Sequence, residues 1–96
     1  MNVNDAICVG AEPIAFLDYI AIERATPEVL EGIARGLYRG AELAGVSIVG
    51  GEISQIPDII RGHSPGSGID LVGMCAGIVP LDRRSEERRV GKECRL

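Results

Sequence analysis

The chain has 96 residues with a formal net charge of −4, and 46% of them are apolar. This length suits one small domain with a modest core, so we expect its stability to need a partner or further sequence. Residues 1–82 hold eleven acids and four bases, which argues against a nucleic-acid partner. The chain has neither an apolar run of about eighteen residues nor a basic, apolar start, which argues against a membrane span and a signal peptide.

The cysteines and the histidine give no metal-site pattern. Cys8, Cys75 and Cys94 form no C-x-x-C pair, and His63 is the only histidine. A zinc site therefore does not follow from the sequence. An odd number of unclustered cysteines is typical of a reducing compartment, so we expect a cytoplasmic protein.

A short helix and a strand are predicted first. Asn4 or Asp5 can cap one or two helical turns, which Gly10 can end. Partial apolar alternation predicts a largely buried strand over 13–22. Asp18 interrupts it, and a buried carboxylate needs hydrogen bonds or a cation, so this residue marks a polar interface or the wall of a site.

The clearest element is an amphipathic helix over 27–44. Thr26 is suited to the N-cap, Pro27 to the first helical position, and Gly45 to the left-handed residue that ends a helix. Residues at three- and four-residue spacing give it one apolar face: Leu30, Ile33, Ala34, Leu37, Ala41 and Ala44.

The stretch "VSIVGGEIS" predicts a strand of four or five residues that runs into Gly50 and Gly51. The pair fits either a tight strand exit or a backbone cradle for a ligand. Glu52 would then emerge at the strand's carboxyl end, where α/β sheets usually place ligands. An irregular segment follows, and 69–79 is predicted as the last strand.

The order of short helix, strand, long helix, strand, loop and strand predicts an α/β or α+β fold with one long amphipathic helix, in which three strands make an incomplete layer. Residues 82–96 have no apolar periodicity and reverse the charge balance of the body. We expect this segment to be a disordered or non-native tail and 1–81 to be the folded part.

Asp5 has two interpretations from the residues alone, an N-cap and a carboxylate that binds Mg²⁺. No Lys or Arg occurs from Met1 to Glu23 or from Val46 to Ile60. A polyphosphate bound there would need metal ions, backbone amides or a basic residue from elsewhere, and a metal is the simplest of these. His63 is either an exposed loop residue or a substrate or lid residue.

Three stretches together resemble one family. "NVND" with "GAEP", "VGGE" about forty residues later and "GIDLVGMCAGIVP" look like phosphoribosylformylglycinamidine cyclo-ligase, also called aminoimidazole ribonucleotide synthetase, over residues 1–81. The resemblance implies a partial amino-terminal ATP-binding domain of α/β (α+β) fold, with a mixed sheet and one long amphipathic helix. In that family this domain pairs its strands with those of a second subunit in a dimeric barrel, so a homodimer is expected for the intact protein.

The resemblance also implies a reaction. ATP phosphorylates the formyl amide oxygen of formylglycinamidine ribonucleotide, a neighbouring nitrogen closes the imidazole ring, and phosphate leaves. Two alternatives stay open: another ATP-using member of the superfamily, of the selenophosphate synthetase or thiamine-monophosphate kinase type, or a non-catalytic dimerisation fragment.

Matched by position, Asp5 corresponds to the family acid that holds Mg²⁺ and the ATP phosphates, and Asn4 to its neighbour that orients the turn. Gly50, Gly51 and Glu52 correspond to a nucleotide-contacting turn, and no catalytic residue is assigned. Gln55 stands where the family has a second acid. The family's lysine-bearing "D-G-V-G-T-K" segment would precede Met1, and its carboxyl-terminal domain is missing, so we expect no turnover by this chain alone.

Overall fold

The computed structural model describes residues 1–83. Its elements are α1 (Asn2–Cys8), β1 (Glu12–Ile22), α2 (Pro27–Ala44), β2 (Ser47–Gln55), β3 (Ile69–Ile78) and a 3-10 turn (Leu81–Arg83). This order confirms the predicted α/β fold with one long helix. Residues 84–96 of the predicted tail lie outside the described residues.

Helix α1 begins earlier than its capping residues suggested. Met1 occupies the N-cap and makes no side-chain capping bond, so the prediction that Asn4 or Asp5 caps the helix is wrong. The helix is positioned by a tertiary contact instead, because the Asn2 Nδ2 donates a hydrogen bond of 3.0 Å to the Gly73 carbonyl of β3. A contact across the fold, rather than a local cap, therefore fixes where α1 starts.

Helix α2 confirms its prediction at both ends. The Thr26 hydroxyl accepts a hydrogen bond of 3.4 Å from the Val29 amide, and Gly45 ends the helix with a φ of 70°, where a side chain would be strained. None of its residues is fully buried. None of the helices in residues 1–83 is long and apolar enough to cross a membrane.

Strand β1 lies at the centre of a three-stranded mixed sheet. The order is β2-β1-β3, with β2 parallel and β3 antiparallel to β1. A parallel pair needs a crossover connection, and α2 supplies it. The small buried core gathers at the end of α1 and the end of β1, at Cys8, Ile20, Ala21 and Ile22.

Side chains along β1 alternate between the two faces of the sheet. Phe16, Asp18 and Ile20 point to one side, which we call the helix face because Phe16 and residues of both α1 and α2 line one groove there. The groove has a volume of about 270 Å³. Both α-helices therefore cover the Phe16 end of the helix face.

The other side of the sheet, the opposite face, carries apolar side chains that remain accessible. Tyr19, Val72 and Met74 lie on it and are 36%, 49% and 59% exposed. An apolar face of this kind is more typical of an interface than of a solvated surface.

The glycine pair lies inside β2, so the prediction that the strand ends there is wrong. β2 continues through Gln55, and the register shifts by one residue where Phe16 pairs with Ile48 but Leu17 pairs with Gly50. A Cβ on Gly51 would lie 2.9 Å from the Asp18 carbonyl oxygen and would collide with its carboxylate. The missing Cβ thus serves close strand approach rather than a turn.

We expect Gly51→Ala to lower the free energy of unfolding by about 1–3 kcal/mol, because its methyl group must displace the Asp18 side chain or backbone. Gly32→Ala in α2 is the matched control. A Cβ at Gly32 meets nothing within 4 Å, so the change should be neutral or stabilise by roughly 0.5–1 kcal/mol. Urea unfolding followed by circular dichroism measures both, and equal stability of the two variants would contradict the close approach.

Candidate functional site

The two candidate residues of α1 are exposed. Asn4 and Asp5 lie within the helix, and neither side chain has a hydrogen bond or ion pair to another described residue. The Asp5 amide donates to the Met1 carbonyl at 3.0 Å. Asp5 therefore lies in the first turn with its carboxylate accessible to a ligand, on a helix that packs against β1 and β3.

The candidate residues of β2 divide between the two faces of the sheet. Gly51 pairs with Asp18 and shares the helix face with α1. Gly50 pairs with Leu17 and Glu52 with Tyr19, so both belong to the opposite face. The structure therefore brings only Gly51 to the side of the sheet that carries Asn4 and Asp5.

The prediction that Glu52 emerges at the carboxyl end of β2 is wrong. It lies three residues before the last strand residue, Gln55, and its Oε1 accepts a hydrogen bond of 3.3 Å from the Ile53 amide. The side chain is exposed. Since β2 is an edge strand of the described sheet, a ligand at this edge can contact both faces.

Metal ligands are sparse in the described part of the chain. Residues 1–83 contain no group of three or more His, Cys, Asp or Glu side chains arranged to hold a metal ion. Mg²⁺ needs only one or two carboxylates when waters and phosphate oxygens complete its shell. The accessible Asp5 carboxylate fits that limited role.

Gln55 and Glu23 occupy the carboxyl end of the parallel pair. The Gln55 Oε1 accepts a hydrogen bond of 2.8 Å from the Ala25 amide, which ties β2 to the segment before α2. The Gln55 side chain therefore has a local structural partner.

Glu23 organises the loop between β2 and β3, and sequence reasoning missed it. Its carboxylate accepts hydrogen bonds from the backbone amides of Gly62, Gly66 and Gly68 at 3.0, 2.8 and 3.1 Å. Its own amide donates to the Gly68 carbonyl at 2.8 Å. The signal in the sequence was an acid directly after β1 together with several glycines in the irregular segment. The backbone N–H groups of such a loop need hydrogen-bond acceptors, and a nearby carboxylate can supply them.

These hydrogen bonds also shift the titration of Glu23. The amides of Gly62 and Gly66 contribute most to lowering its pKa, because they stabilise the ionised carboxylate. The hydrogen bonds from the loop amides to Glu23 are therefore strongest while its carboxylate is ionised.

His63 lies in the same loop and is exposed. It borders a cleft of about 430 Å³, whose other lining residues are Glu23, Pro57, Asp58, Arg61, Gly62 and Pro65. No described residue makes a hydrogen bond or ion pair with its imidazole. His63 is therefore an exposed loop residue that shares this cleft with the carboxylates of Glu23 and Asp58.

A family description matches residues 1–79: AIR synthase related protein, N-terminal domain. The chain belongs to this family. Its curated relatives include phosphoribosylformylglycinamidine cyclo-ligase of Pyrococcus horikoshii, 51% identical over 86% of this chain and 23% of that protein. The enzyme of the same name in Methanocaldococcus jannaschii is 51% identical over 85% of this chain and 22% of its own length. The chain thus spans about a quarter of the curated relatives it matches.

Solved structures confirm the fold of this AIR synthase related domain. Hydrogenase maturation protein HypE superposes with a TM-score of 0.72 at 24% identity, over 88% of this chain and 25% of HypE. HypE in complex with ATP superposes with a TM-score of 0.66 at 27% identity, over 88% of this chain and 24% of that one. The mixed sheet and its two helices are therefore a known arrangement for part of an amino-terminal domain.

The Glu23 contacts predict a loop that loosens in acid. A lowered pKa means that the carboxylate stabilises the loop above the ordinary glutamate pKa, and that this stabilisation is lost as the pH falls through the lowered value. In NMR spectra of the 96-residue chain, the Gly62, Gly66 and Gly68 amides should lose protection in that range, measured as their exchange rates relative to the intrinsic rates of an unstructured chain at the same pH.

Glu23→Gln should produce faster exchange of these three amides already at neutral pH, because a neutral amide is a weaker acceptor for them. Glu12→Gln is the control, since the exposed Glu12 side chain has no hydrogen bond to a described residue. Unchanged exchange in Glu23→Gln would show that the carboxylate does not hold the loop.

Proposed function

We propose that this chain is the ATP-binding amino-terminal part of a cyclo-ligase that converts formylglycinamidine ribonucleotide to aminoimidazole ribonucleotide in purine biosynthesis. The observation that carries the proposal is 51% identity, over 86% of the chain, to a relative named phosphoribosylformylglycinamidine cyclo-ligase. The family match covers residues 1–79, which include the helices and strands that present the candidate residues. A protein of the cytoplasm, without a nucleic-acid partner, fits this assignment.

In the proposed reaction, ATP phosphorylates the formyl amide oxygen, which becomes a good leaving group. A nitrogen of the substrate then closes the imidazole ring and phosphate departs. The role of this chain is to bind the nucleotide. Asn4 and Asp5 would hold its phosphates from α1, with Asp5 as a ligand of Mg²⁺, which supplies charge neutralisation where the sheet has no basic side chains.

Gly50, Gly51 and Glu52 would contact the same nucleotide from β2. Their division between two faces supports a ligand that reaches around the edge strand, with Gly51 on the α1 side and Gly50 and Glu52 on the other. A solved structure with the same fold, HypE in complex with ATP, supports nucleotide binding by this architecture.

A homodimer is part of the proposal for the intact protein. Strands β2 and β3 are both edges of the described sheet, and the opposite face exposes Tyr19, Val72 and Met74. Pairing with a second subunit through β3 would cover this apolar face and satisfy the open edge of β3, which otherwise favours aggregation.

The second candidate function is that of another enzyme that also binds ATP but catalyses a different reaction. The likeness to HypE favours the wider superfamily of ATP-using enzymes, to which selenophosphate synthetase and thiamine-monophosphate kinase belong. A third candidate, a dimerisation module without nucleotide affinity, predicts no response to MgATP.

The test is an NMR titration of the 96-residue chain with MgATP. We expect millimolar nucleotide to shift the amides of Asp5 and Gly50–Glu52, and Asp5→Asn to weaken binding several-fold, because it removes the charge that attracts Mg²⁺ while the helix tolerates Asn.

Asp58→Asn is the control, since it removes an equally exposed acid from the loop. Its affinity for MgATP should match that of the unmodified chain. Absence of any shift at these amides would favour the dimerisation module, and equal binding by both variants would refute Asp5 as the metal ligand.

A further inference from the structure

The groove between α1 and α2 lies open on the helix face of the sheet. It has a volume of about 270 Å³, and α2 contributes Gly36, Gly40 and Ala44 to its lining. Phe16 of β1 and residues 1–3 line it as well, and none of the described lining residues has a charged side chain. An apolar cavity of about 150 Å³ is enough to bind benzene, so this groove has room for large aliphatic side chains.

Two glycines of α2 are not required by the packing of residues 1–83. A Cβ on Gly36 or Gly40 would meet nothing within 4 Å in this part of the chain. A glycine inside a helix destabilises it relative to alanine. Four-residue spacing places Gly36, Gly40 and Ala44 along one side of the helix, where their small size lets another backbone approach closely.

The apolar surface continues beside the glycines. Leu43 follows Gly40 by three residues, so it lies on the same side of α2, and it is 72% exposed. The two ion pairs of α2 lie on the opposite side of the helix. An exposed apolar surface next to an open groove is typical of an interaction site.

A helix from the same polypeptide fits this groove. Helices pack by placing the side-chain ridges of one in the grooves of the other. The chain spans 23% of the Pyrococcus horikoshii relative, so most of that protein lies outside the match. The proposed homodimer uses the opposite face and the edge of β3, and a two-fold interface uses the same patch on both subunits. The groove on the helix face is therefore left for another part of the polypeptide.

We propose that the groove between α1 and α2 is the docking surface for a helix from the part of the intact polypeptide that lies outside these 96 residues. This helix presents large aliphatic side chains at three- and four-residue spacing, which enter the groove above Gly36 and Gly40. The inference rests on family membership and not on the proposed reaction, so a failure of ATP binding would leave it standing.

The test places a thiol in the groove. Gly40→Cys in the 96-residue chain should react with N-ethylmaleimide nearly as fast as an exposed cysteine, because no described residue covers this position. Mass spectrometry of peptides assigns the reaction to position 40. Protection that disappears on dilution would overturn the proposal, because it would show that a second copy fills the groove.

The same substitution is then made in a chimera, in which residues 1–79 of this chain replace the matching segment of the Pyrococcus horikoshii relative. The introduced thiol should react at least about tenfold more slowly there than in the 96-residue chain. Glu28→Cys, at an exposed position on the charged side of α2, is the control and should react equally fast in both proteins. Equal rates at position 40 in both proteins would overturn the proposal.

Gly40→Leu separates docking from the stability of the helix itself. Leucine is the better helix former and has room in the open groove, so the 96-residue variant should unfold at a higher temperature than the unmodified chain. In the chimera the added side chain takes the space of the docked helix, so the unfolding temperature should fall by several degrees. Gly32→Leu, one turn before the groove lining begins on α2, should raise it in both proteins. A higher unfolding temperature for Gly40→Leu in the chimera would refute the docking.

Discussion

The close approach of β1 to its two neighbours is the constraint on which the rest of the domain depends. At Asp18 the central strand meets a glycine on each side, Gly51 on β2 and Gly73 on β3. Side chains fill the space that the missing Cβ atoms leave: the Asp18 carboxylate over Gly51, and Phe16 with Asn2 over Gly73. The same contact that packs the sheet therefore also anchors α1.

This anchoring determines what the candidate site can do. Because Asn2 binds the Gly73 carbonyl, α1 lies on the helix face and its Asp5 carboxylate stays accessible. The register shift between Ile48 and Gly50 leaves Val49 as a bulge without a partner on β1. Beyond this bulge the side-chain positions of β2 change faces by one residue relative to β1, so Gly51 and not Gly50 lies on the face that carries α1. A nucleotide that uses all five candidate residues must then bind at the β2 edge, where both faces can be reached.

The described residues form a thin layer rather than a complete core. Only four apolar residues among them are buried, and α2, with no buried residue, leaves an open groove toward α1. Burial on this scale supplies little of the free energy that offsets chain entropy. The expectation from length alone, that stability needs a partner or further sequence, agrees with this thin packing. The chain spans about a quarter of its curated relatives.

The sequence by itself determined the elements whose signals are local. Thr26, Pro27 and Gly45 defined α2 to the residue because capping and the left-handed C′ position depend only on neighbouring backbone. Tertiary structure decided what local signals left open. Gly50 and Gly51 lie inside β2, where the Asp18 side chain occupies the space that a Cβ on Gly51 would fill. Helix α1 is held by Asn2 rather than by a capping residue. The hydrogen-bond partner of Asn2 lies seventy-one residues away, so no local sequence signal marks this contact. Glu23 gained its role only when the loop glycines folded onto it, since hydrogen bonds across the fold leave no periodic trace in the sequence.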